Sequence, residues 1–85
     1  MKRSRAFVYI LRCADGTLYT GYTIDLERRV RQHQSGRGGK YTRIRTPVEL
    51  IYSESFRTRR AAMQREIHIK HMPRARKLKL VTGKN

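Results

Sequence analysis

The chain has 85 residues, 38% of them hydrophobic and 32% charged, so its length suits one small domain with a thin core. Its clustered apolar residues exclude a disordered chain, and no apolar run approaches the roughly 20 residues that span a bilayer. Twenty-one Lys and Arg residues against six Asp and Glu residues give a net charge of +15, whose self-repulsion a polyanion such as nucleic acid relieves.

The sequence contains no internal repeat and no linker long enough to divide domains. We expect a single domain over residues 1–85, with a core at about 6–71 and a basic C-terminal helix or tail at 72–85. The single cysteine, Cys13, excludes an internal disulfide. The apolar run that follows the basic N-terminus is too short for a signal peptide and stops at Arg12, so we expect a cytoplasmic protein.

The hydrophobic pattern predicts three strands and three helices. Uninterrupted apolar residues indicate a central strand, Thr- and Tyr-rich residues its partner, and three- and four-residue spacing the helices. In chain order the strands span residues 6–11, 17–22 and 48–55, and the helices span about 25–35, 59–71 and 73–83. The basic stretch at residues 36–43, between the first helix and the third strand, is predicted to be a flexible loop.

The length of the first turn decides where two tyrosines lie. A two-residue Asp15-Gly16 turn would put Tyr9 and Tyr19 on opposite faces of the sheet. A three-residue loop over residues 14–16, with Gly16 left-handed in a bulge, puts both on one face. We expect the three-residue loop, and with it two phenol hydroxyls at one surface of the sheet.

Each predicted helix has one side suited to packing. On the first helix Leu26, Val30 and His33 share a stripe, and Arg29 lies one turn before His33. On the second helix the side expected to face the sheet comprises Ala62, Met63, Glu66, Ile67 and Lys70. The third helix has a narrower apolar edge of Ala75, Leu78 and Val81.

A carboxylate on the sheet-facing side of the second helix needs a partner. Glu66 lies among apolar residues, where an unpaired charge is costly. One interpretation is a structural ion pair with one of the many arginines. The other is a Mg²⁺ site, because a lone carboxylate can hold Mg²⁺ when substrate phosphate and waters complete the coordination shell. Composition leaves both interpretations open.

Two other groups of side chains have chemical potential. Tyrosines on strands usually serve as core or surface cover, but Tyr9 and Tyr19 on one face, near an arginine-bearing helix, could position or deprotonate an attacking water. His68 and His71 are spaced like zinc ligands, yet no third ligand stands at a matching spacing, so we expect no zinc site.

The residues at these positions resemble the signature of the GIY-YIG nuclease superfamily. Phe-Val-Tyr at residues 7–9 and Tyr-Thr-Gly at 19–21 are similar to its two triplets. Residues 25–33 resemble the family's helix with an arginine and, one turn on, a histidine, and residues 63–70 resemble the helix that carries its glutamate. Order and spacing agree from residue 6 to about 71, and the compact length resembles the small, single-domain bacterial members.

The resemblance implies an α/β fold of the α+β type, with a three-stranded antiparallel sheet flanked by helices in the order β-β-α-β-α-α. It also implies hydrolysis of phosphodiester bonds with one divalent cation, Mg²⁺ or Mn²⁺, held by the glutamate. In the family a tyrosine acts as, or aligns, the general base, and the arginine stabilises charge in the transition state. Carried over, the metal ligand is Glu66 and the catalytic residues are Tyr9, Tyr19, Arg29, His33 and Glu66.

Three functions are compatible with this sequence. The resemblance favours a DNA endonuclease or exonuclease of low sequence specificity, in repair or recombination, acting on duplex, single-stranded or branched DNA. The alternatives are a nucleic-acid binding protein on the same scaffold and a ribosome-associated basic protein; no membrane or protein partner is indicated. A protein that only binds nucleic acid has no need of a carboxylate at its phosphate site, so Glu66 distinguishes the nuclease from the two alternatives. Nucleic-acid contacts are expected from Arg28, Arg37, Lys40, Arg43, Lys70, Arg74, Arg76 and Lys77.

Overall fold

The computed structural model describes residues 5–83, so the basic residues 1–4 and the end of the predicted tail, 84–85, lie outside the described residues. The elements are β1 Ala6–Arg12, β2 Leu18–Thr23, α1 Leu26–Gln34, α2 Lys40–Arg43, β3 Glu49–Phe56, α3 Arg59–Lys70 and α4 Arg74–Thr82. The α+β class and the predicted β-β-α-β-α-α order are confirmed. One element is additional, because α2 forms a single helical turn inside the stretch predicted to be a flexible loop.

β1 is the central strand and pairs antiparallel with both neighbours, in the order β2-β1-β3. In the hairpin Tyr9 lies opposite Gly21 and Leu11 lies opposite Tyr19. Gly16 ends the three-residue turn with a φ of 85°, a left-handed conformation that glycine adopts without the steric cost of a side chain. The predicted register is therefore confirmed, and the two tyrosines lie on the same face of the sheet.

The sheet buries a separate apolar cluster on each face. The cluster on the tyrosine face comprises Tyr9, Leu11, Cys13 and Val48, with Tyr19 and, from α1, Leu26 and Val30 packed against it. The cluster on the other face comprises Ala6, Val8, Ile10, Ala62 and Ile69, with Leu80 and Val81 of α4 among the residues packed against it. It follows that α1 covers one face of the sheet, while α3 and α4 cover the other.

The predicted sheet-facing side of α3 is wrong in part. Ala62 and Ile69 are buried, whereas Met63 and Ile67 are 46% and 57% exposed. Residues seven apart share one side of a helix, so Ala62 and Ile69 define the buried line, and the small side chain of Ala62 lets α3 approach β1 closely. Glu66 flanks that line and is half-buried. The predicted side shares Ala62 with the buried line, but the buried line continues through Ile69 instead of Met63 and Ile67.

α4 begins after Pro73 and ends at Gly83, as the sequence predicts. Its packing residues differ from the predicted edge, because Leu80 and Val81 face the core while Leu78 is 38% exposed. The longest described helix, α3, has 12 residues, and none within residues 5–83 is long and apolar enough to cross a bilayer.

Candidate active site

Tyr9, Tyr19 and His33 form one aromatic cluster on the α1 face of the sheet. Tyr9 is 1% exposed, and its hydroxyl oxygen lies 2.9 Å from Nε2 of His33. The ring centroid of Tyr19 is 6.3 Å from that of Tyr9 and 5.2 Å from that of His33. Gly21 makes this arrangement possible, since a Cβ there would lie 2.5 Å from the Tyr9 hydroxyl oxygen. Gly21, the last residue of the second triplet, therefore leaves the space that the Tyr9 hydroxyl occupies beside His33.

α1 brings Arg29 and His33 to this cluster, one helical turn apart. The Asp25 carboxylate caps the helix by accepting a backbone N–H at 3.2 Å, which stabilises its first turn. The Arg29 guanidinium donates to Oε1 of Gln32 at 3.0 Å and to the carbonyl oxygen of Gly38 at 2.6 Å. Two hydrogen bonds hold its plane, so Arg29 is oriented before any substrate arrives.

The stretch from Gly38 to Arg45 is a wedge against this cluster rather than a flexible loop. A Cβ on Gly38 would lie 2.1 Å from Nδ1 of His33, so only glycine fits there. Thr42 is buried, with its hydroxyl 2.7 Å from the same Nδ1. The Tyr41 ring stacks on Tyr19 with centroids 5.6 Å apart, and the Arg45 guanidinium lies 4.1 Å from the centroid of the Tyr41 ring. The prediction of a flexible loop is wrong because these contacts order its second half.

Sequence reasoning missed four residues of the wedge as contributors to the site: Gly38, Tyr41, Thr42 and Arg45. Basic residues and glycines in 36–43 suggested a mobile loop. The composition did not show that some residues of this segment pack on the site while others are exposed. The inner residues pack on the aromatic cluster, while Arg37, Lys40 and Arg43 are exposed. The feature of the sequence that could have predicted an ordered segment is Tyr41-Thr42, an aromatic and a β-branched residue together inside an otherwise polar stretch.

The cluster shifts the acid–base properties of its members. Burial raises the pKa of Tyr9 to about 12; the adjacent Arg29 opposes the rise, and the Tyr19 and Glu66 side chains add to it. Burial, together with the positive charge of Arg29, lowers the pKa of His33 to about 4. At neutral pH the hydrogen-bonded pair is therefore a neutral phenol and a neutral imidazole.

Glu66 lies on α3, the helix whose buried residues Ala62 and Ile69 pack on the opposite face of the sheet from the aromatic cluster. Its side chain is 18% exposed, and Oε2 is 3.2 Å from Nζ of Lys70, one turn along α3. Its carboxylate is nevertheless close enough to Tyr9 for its charge to raise the pKa of that hydroxyl. The structure thus brings Tyr9, Tyr19, Arg29 and His33 together, with Glu66 within electrostatic range.

The strong ion pair on this side of the molecule belongs to a different glutamate. Arg65 donates two hydrogen bonds to Glu54, at 2.9 and 3.0 Å, and Tyr52 donates a third. Burial alone would raise the pKa of Glu54, but the hydrogen bonds from Arg65 and Tyr52 lower it. The structural arginine pair that sequence reasoning considered for Glu66 is made by Glu54, and among residues 5–83 the ion-pair partner of Glu66 is the exposed Lys70.

The predicted nucleic-acid contacts fall into two groups. Arg28 lines an open groove of about 450 Å³ together with Arg29, Gln32 and residues 22–25, beside the aromatic cluster. Arg37, Lys40 and Arg43 lie in the neighbouring segment between α1 and β3. Lys70 pairs with Glu66, and Arg74, Arg76 and Lys77 belong to α4 on the opposite face of the sheet. A duplex that touches both groups must therefore pass around an edge of the sheet.

Acidification is expected to destabilise the protein through His33. Its pKa is about 6.5 in the unfolded chain and about 4 in the fold, so the unfolded state takes up a proton that the folded state refuses. The stability from the neutral imidazole is fully present above pH 6.5 and is lost as pH falls toward 4, by about 2–3 kcal/mol. Denaturant unfolding at pH 7, 5.5 and 4.5 measures the loss, which should be smaller in the His33→Gln variant. An equal pH dependence in both proteins would contradict it.

Comparison with known proteins agrees with this geometry. Residues 5–79 match the GIY-YIG catalytic domain. A UPF0213 protein of Natronomonas pharaonis is 60% identical over 75 residues, which cover 88% of this chain and 88% of that protein. A UPF0213 protein of Staphylococcus saprophyticus is 50% identical over 76 residues, covering 89% of this chain and 93% of that protein.

Two solved structures have the same architecture. The solution NMR structure of a UPF0213 protein from Bacillus halodurans matches with a TM-score of 0.60 and 47% identity, covering 91% of this chain and 82% of that one. The solution NMR structure of a protein from E. faecalis matches with a TM-score of 0.62 and 38% identity, covering 98% and 90%. Because the domain match spans nearly the whole chain and these relatives align over most of their length, the chain belongs to the GIY-YIG family of catalytic domains, alongside the UPF0213 proteins.

Proposed function

We propose that the protein is a divalent-metal-dependent nuclease that hydrolyses phosphodiester bonds in DNA with little sequence preference, in repair or recombination in the cytoplasm. The observation that carries the proposal is the buried Tyr9 hydroxyl, held by His33 beside Arg29, in a chain of a catalytic-domain family. The net charge of +15 supports a polyanionic substrate.

The Glu66 carboxylate has the chemistry that Mg²⁺ or Mn²⁺ requires. Its oxygens are hard donors, and its ion-pair partner Lys70 is 51% exposed, so the lysine side chain can turn into solvent when a divalent cation binds. No group of three or more His, Cys, Asp or Glu side chains within residues 5–83 could enclose a metal ion. A site with one carboxylate is the kind in which Mg²⁺ keeps waters and takes further ligands from a substrate phosphate.

Arg29 supplies fixed positive charge from the protein. A cation on Glu66 would neutralise charge on the non-bridging oxygens of the scissile phosphate. The bonds to Gln32 and Gly38 use two of the N–H groups of Arg29, and its other N–H groups can donate to the same phosphate. A guanidinium oriented in advance stabilises developing charge without reorganisation, which favours the transition state over the ground state.

Tyr9 aligns the attacking water. With a pKa of about 12 its hydroxyl is ionised in only about one molecule in 10⁵ at pH 7, so the resting protein uses it as a hydrogen-bonding group. The bond to His33 fixes the oxygen, and the Tyr19 ring packs against both rings. A water hydrogen-bonded to a fixed oxygen has less orientational freedom to lose on attack.

DNA binding should weaken steeply with salt. If about six of the eight predicted basic residues meet phosphates, log affinity should fall against log salt with a slope of about −5. Fluorescence anisotropy on two duplexes of unrelated sequence measures the slope and the preference, and we expect similar affinities for both. An affinity that does not change with salt would remove the electrostatic basis of the proposal.

The function itself is tested by cleavage. Supercoiled plasmid, single-stranded DNA and branched DNA are incubated with the protein and Mg²⁺ or Mn²⁺, beside identical reactions in EDTA. We expect nicked or shortened products that depend on the cation. If every DNA form stays intact with both cations, the nuclease proposal is overturned.

A DNA-binding protein without cleavage is the second candidate, and the Glu66–Lys70 ion pair favours it. At 3.2 Å, Lys70 offsets the charge of a carboxylate that would otherwise repel phosphate. This candidate forecasts salt-sensitive binding that EDTA leaves unchanged, with no products from any DNA form.

A further inference from the structure

Arg45 stands at the end of the wedge and joins two other parts of the molecule. Its Nε–H donates to Oδ2 of Asp15 at 3.0 Å, and its Nη1 group donates to the carbonyl oxygen of Tyr41 at 2.8 Å. The same guanidinium lies 4.1 Å from the centroid of the Tyr41 ring. A guanidinium has N–H donors and no acceptor, so chemistry alone fixes the direction of both hydrogen bonds.

Asp15 is a firm anchor for this arginine. It lies in the turn between β1 and β2, where its Oδ1 accepts hydrogen bonds from the backbone N–H of Thr17 at 3.1 Å and from the Thr17 hydroxyl at 2.6 Å. Its other oxygen, Oδ2, is the one that Arg45 binds. An isolated surface ion pair contributes little, whereas here two hydrogen bonds and a ring contact converge on one guanidinium. Arg45 thus ties the wedge to a turn whose own geometry is held.

The wedge connects this anchor to the site. It contacts the aromatic cluster through Tyr41 and Thr42, close to the end that Arg45 holds. At its other end the Gly38 carbonyl oxygen accepts a hydrogen bond from Arg29 at 2.6 Å. The single helical turn of α2 joins the two ends, so a displacement at one end reaches the other. The position of the wedge therefore affects both the tyrosines and the plane of the Arg29 guanidinium.

We propose that Arg45 is a positioning residue that clamps the wedge to the β1–β2 turn and so keeps the aromatic cluster and Arg29 in the arrangement that supports cleavage. It acts through Asp15 and Tyr41 rather than on the substrate. The inference rests on the proposed function for its catalytic meaning, though not for the clamp itself. Charge alone does not make this clamp, because one planar guanidinium bridges a carboxylate in the turn, a carbonyl in α2 and an aromatic ring.

Two backbone hydrogen bonds of Arg45 do not depend on its side chain. Its N–H donates to the carbonyl oxygen of Thr42 at 3.0 Å, and its carbonyl oxygen accepts from the N–H of Ala14 at 2.8 Å. These bonds keep the segment beside the turn when the side chain is changed. A substitution at Arg45 therefore removes the hold on Tyr41 without detaching the segment, and the variant should fold.

The clamp is measured by NMR on the full chain, in the parent and in the Arg45→Gln and Arg12→Gln variants. Arg12→Gln breaks the exposed pair with Glu49 and controls for the loss of one positive charge. In the parent and in Arg12→Gln we expect NOEs between the Tyr19 and Tyr41 rings. In Arg45→Gln these NOEs should weaken, and the α2 amides should exchange about tenfold faster while the β1 amides keep their protection.

Three NMR results would overturn the proposal. The first is a parent protein without an NOE between the Arg45 Nε–H and the Tyr41 ring, which requires no variant to fold. The second is parent-like NOEs and exchange in Arg45→Gln. The third is faster exchange in β1 and α2 alike, because Arg45 would then stabilise the whole domain instead of positioning one segment.

Cleavage separates the clamp from the proposed function. At saturating DNA we expect Arg45→Gln to cut about tenfold more slowly, with an affinity for DNA no lower than that of Arg12→Gln. Adding Asp15→Asn to Arg45→Gln should slow cleavage no further, because the two residues act as one contact. A parent-like rate in Arg45→Gln, or additive losses in the double variant, would overturn the positioning role. A parent that cuts no DNA, yet shows the expected NOEs and loses them in Arg45→Gln, would refute the nuclease function and support the clamp.

Discussion

Replacing Glu66 with Gln is expected to reduce DNA cleavage by about three orders of magnitude, in line with the several kcal/mol that a catalytic cation contributes. The substitution keeps the volume of the side chain and removes the charge that would recruit Mg²⁺ or Mn²⁺. DNA binding without metal should hold or tighten slightly, because one repulsive carboxylate is gone. Single-turnover cleavage and anisotropy on the same DNA give both quantities.

Glu66→Gln should still fold, because the negative charge of Glu66 contributes little to the stability of the fold. Within residues 5–83 the side chain makes one ion pair, to a lysine that is 51% exposed, and Gln keeps a polar end of the same volume at this partly buried position. Glu49→Gln is the control for the loss of one negative charge, because Glu49 makes an exposed pair with Arg12 at 2.7 Å, with a side chain that is 64% exposed. We expect both variants to melt near the parent and only Glu66→Gln to lose cleavage.

Two results would contradict this expectation. A well-folded Glu66→Gln protein that cuts like the parent would remove the assigned role of Glu66. A sharp fall in melting temperature with cation-independent cleavage would mean that the carboxylate is structural. Glu54 provides the reference for a structural carboxylate, since it accepts two hydrogen bonds from Arg65 and one from Tyr52.

The hairpin was predictable because its register depends on local chemistry. Once Gly16 takes a left-handed φ, alternation along two strands fixes the face of every side chain, and Tyr9 and Tyr19 must share one. The position of Arg29 one turn before His33 is similarly a property of helical geometry alone. These features need no knowledge of how the elements pack.

Packing between elements was harder to read from the sequence. On α3 two apolar stripes overlap, and the choice of Ala62 and Ile69 over Met63 and Ile67 depends on how closely the helix approaches β1. The face of the sheet that α3 covers likewise depends on the direction of the short connection between β3 and α3, which the spacing of apolar residues does not predict. The sequence predicted Glu66 as a functional residue on a sheet-facing helix, but helical spacing did not show that this helix covers the face opposite Tyr9 and Tyr19.

The wedge illustrates a different limit. The glycines and basic residues of 36–43 give this segment the composition of a flexible loop. Composition does not distinguish the positions that are buried from those that are exposed. Gly38 is buried against His33, whereas Arg37 and Lys40 are exposed. A short segment can therefore pack on the site with one side and expose positive charge with the other, and only coordinates separate the two.

Arg29→Ala is expected to reduce cleavage by about 10²–10³-fold, the usual cost of removing one oriented donor from a transition-state site. Some loss of DNA affinity should accompany it, because a phosphate contact is removed. The Gly38 carbonyl also loses its partner at 2.6 Å, so a modest fall in melting temperature is expected as the wedge loosens.

Arg29→Lys separates charge from geometry in this prediction. Lysine keeps the positive charge but cannot hold Gln32 and Gly38 with a planar fork while it donates to a phosphate. We expect near-parent affinity for DNA and slow cleavage from Arg29→Lys, with both properties reduced in Arg29→Ala. Arg31→Ala, which removes an exposed arginine from the same helix, controls for the loss of one charge. If Arg29→Lys cut as fast as the parent, charge alone would suffice, and the oriented guanidinium would have no special part in the chemistry.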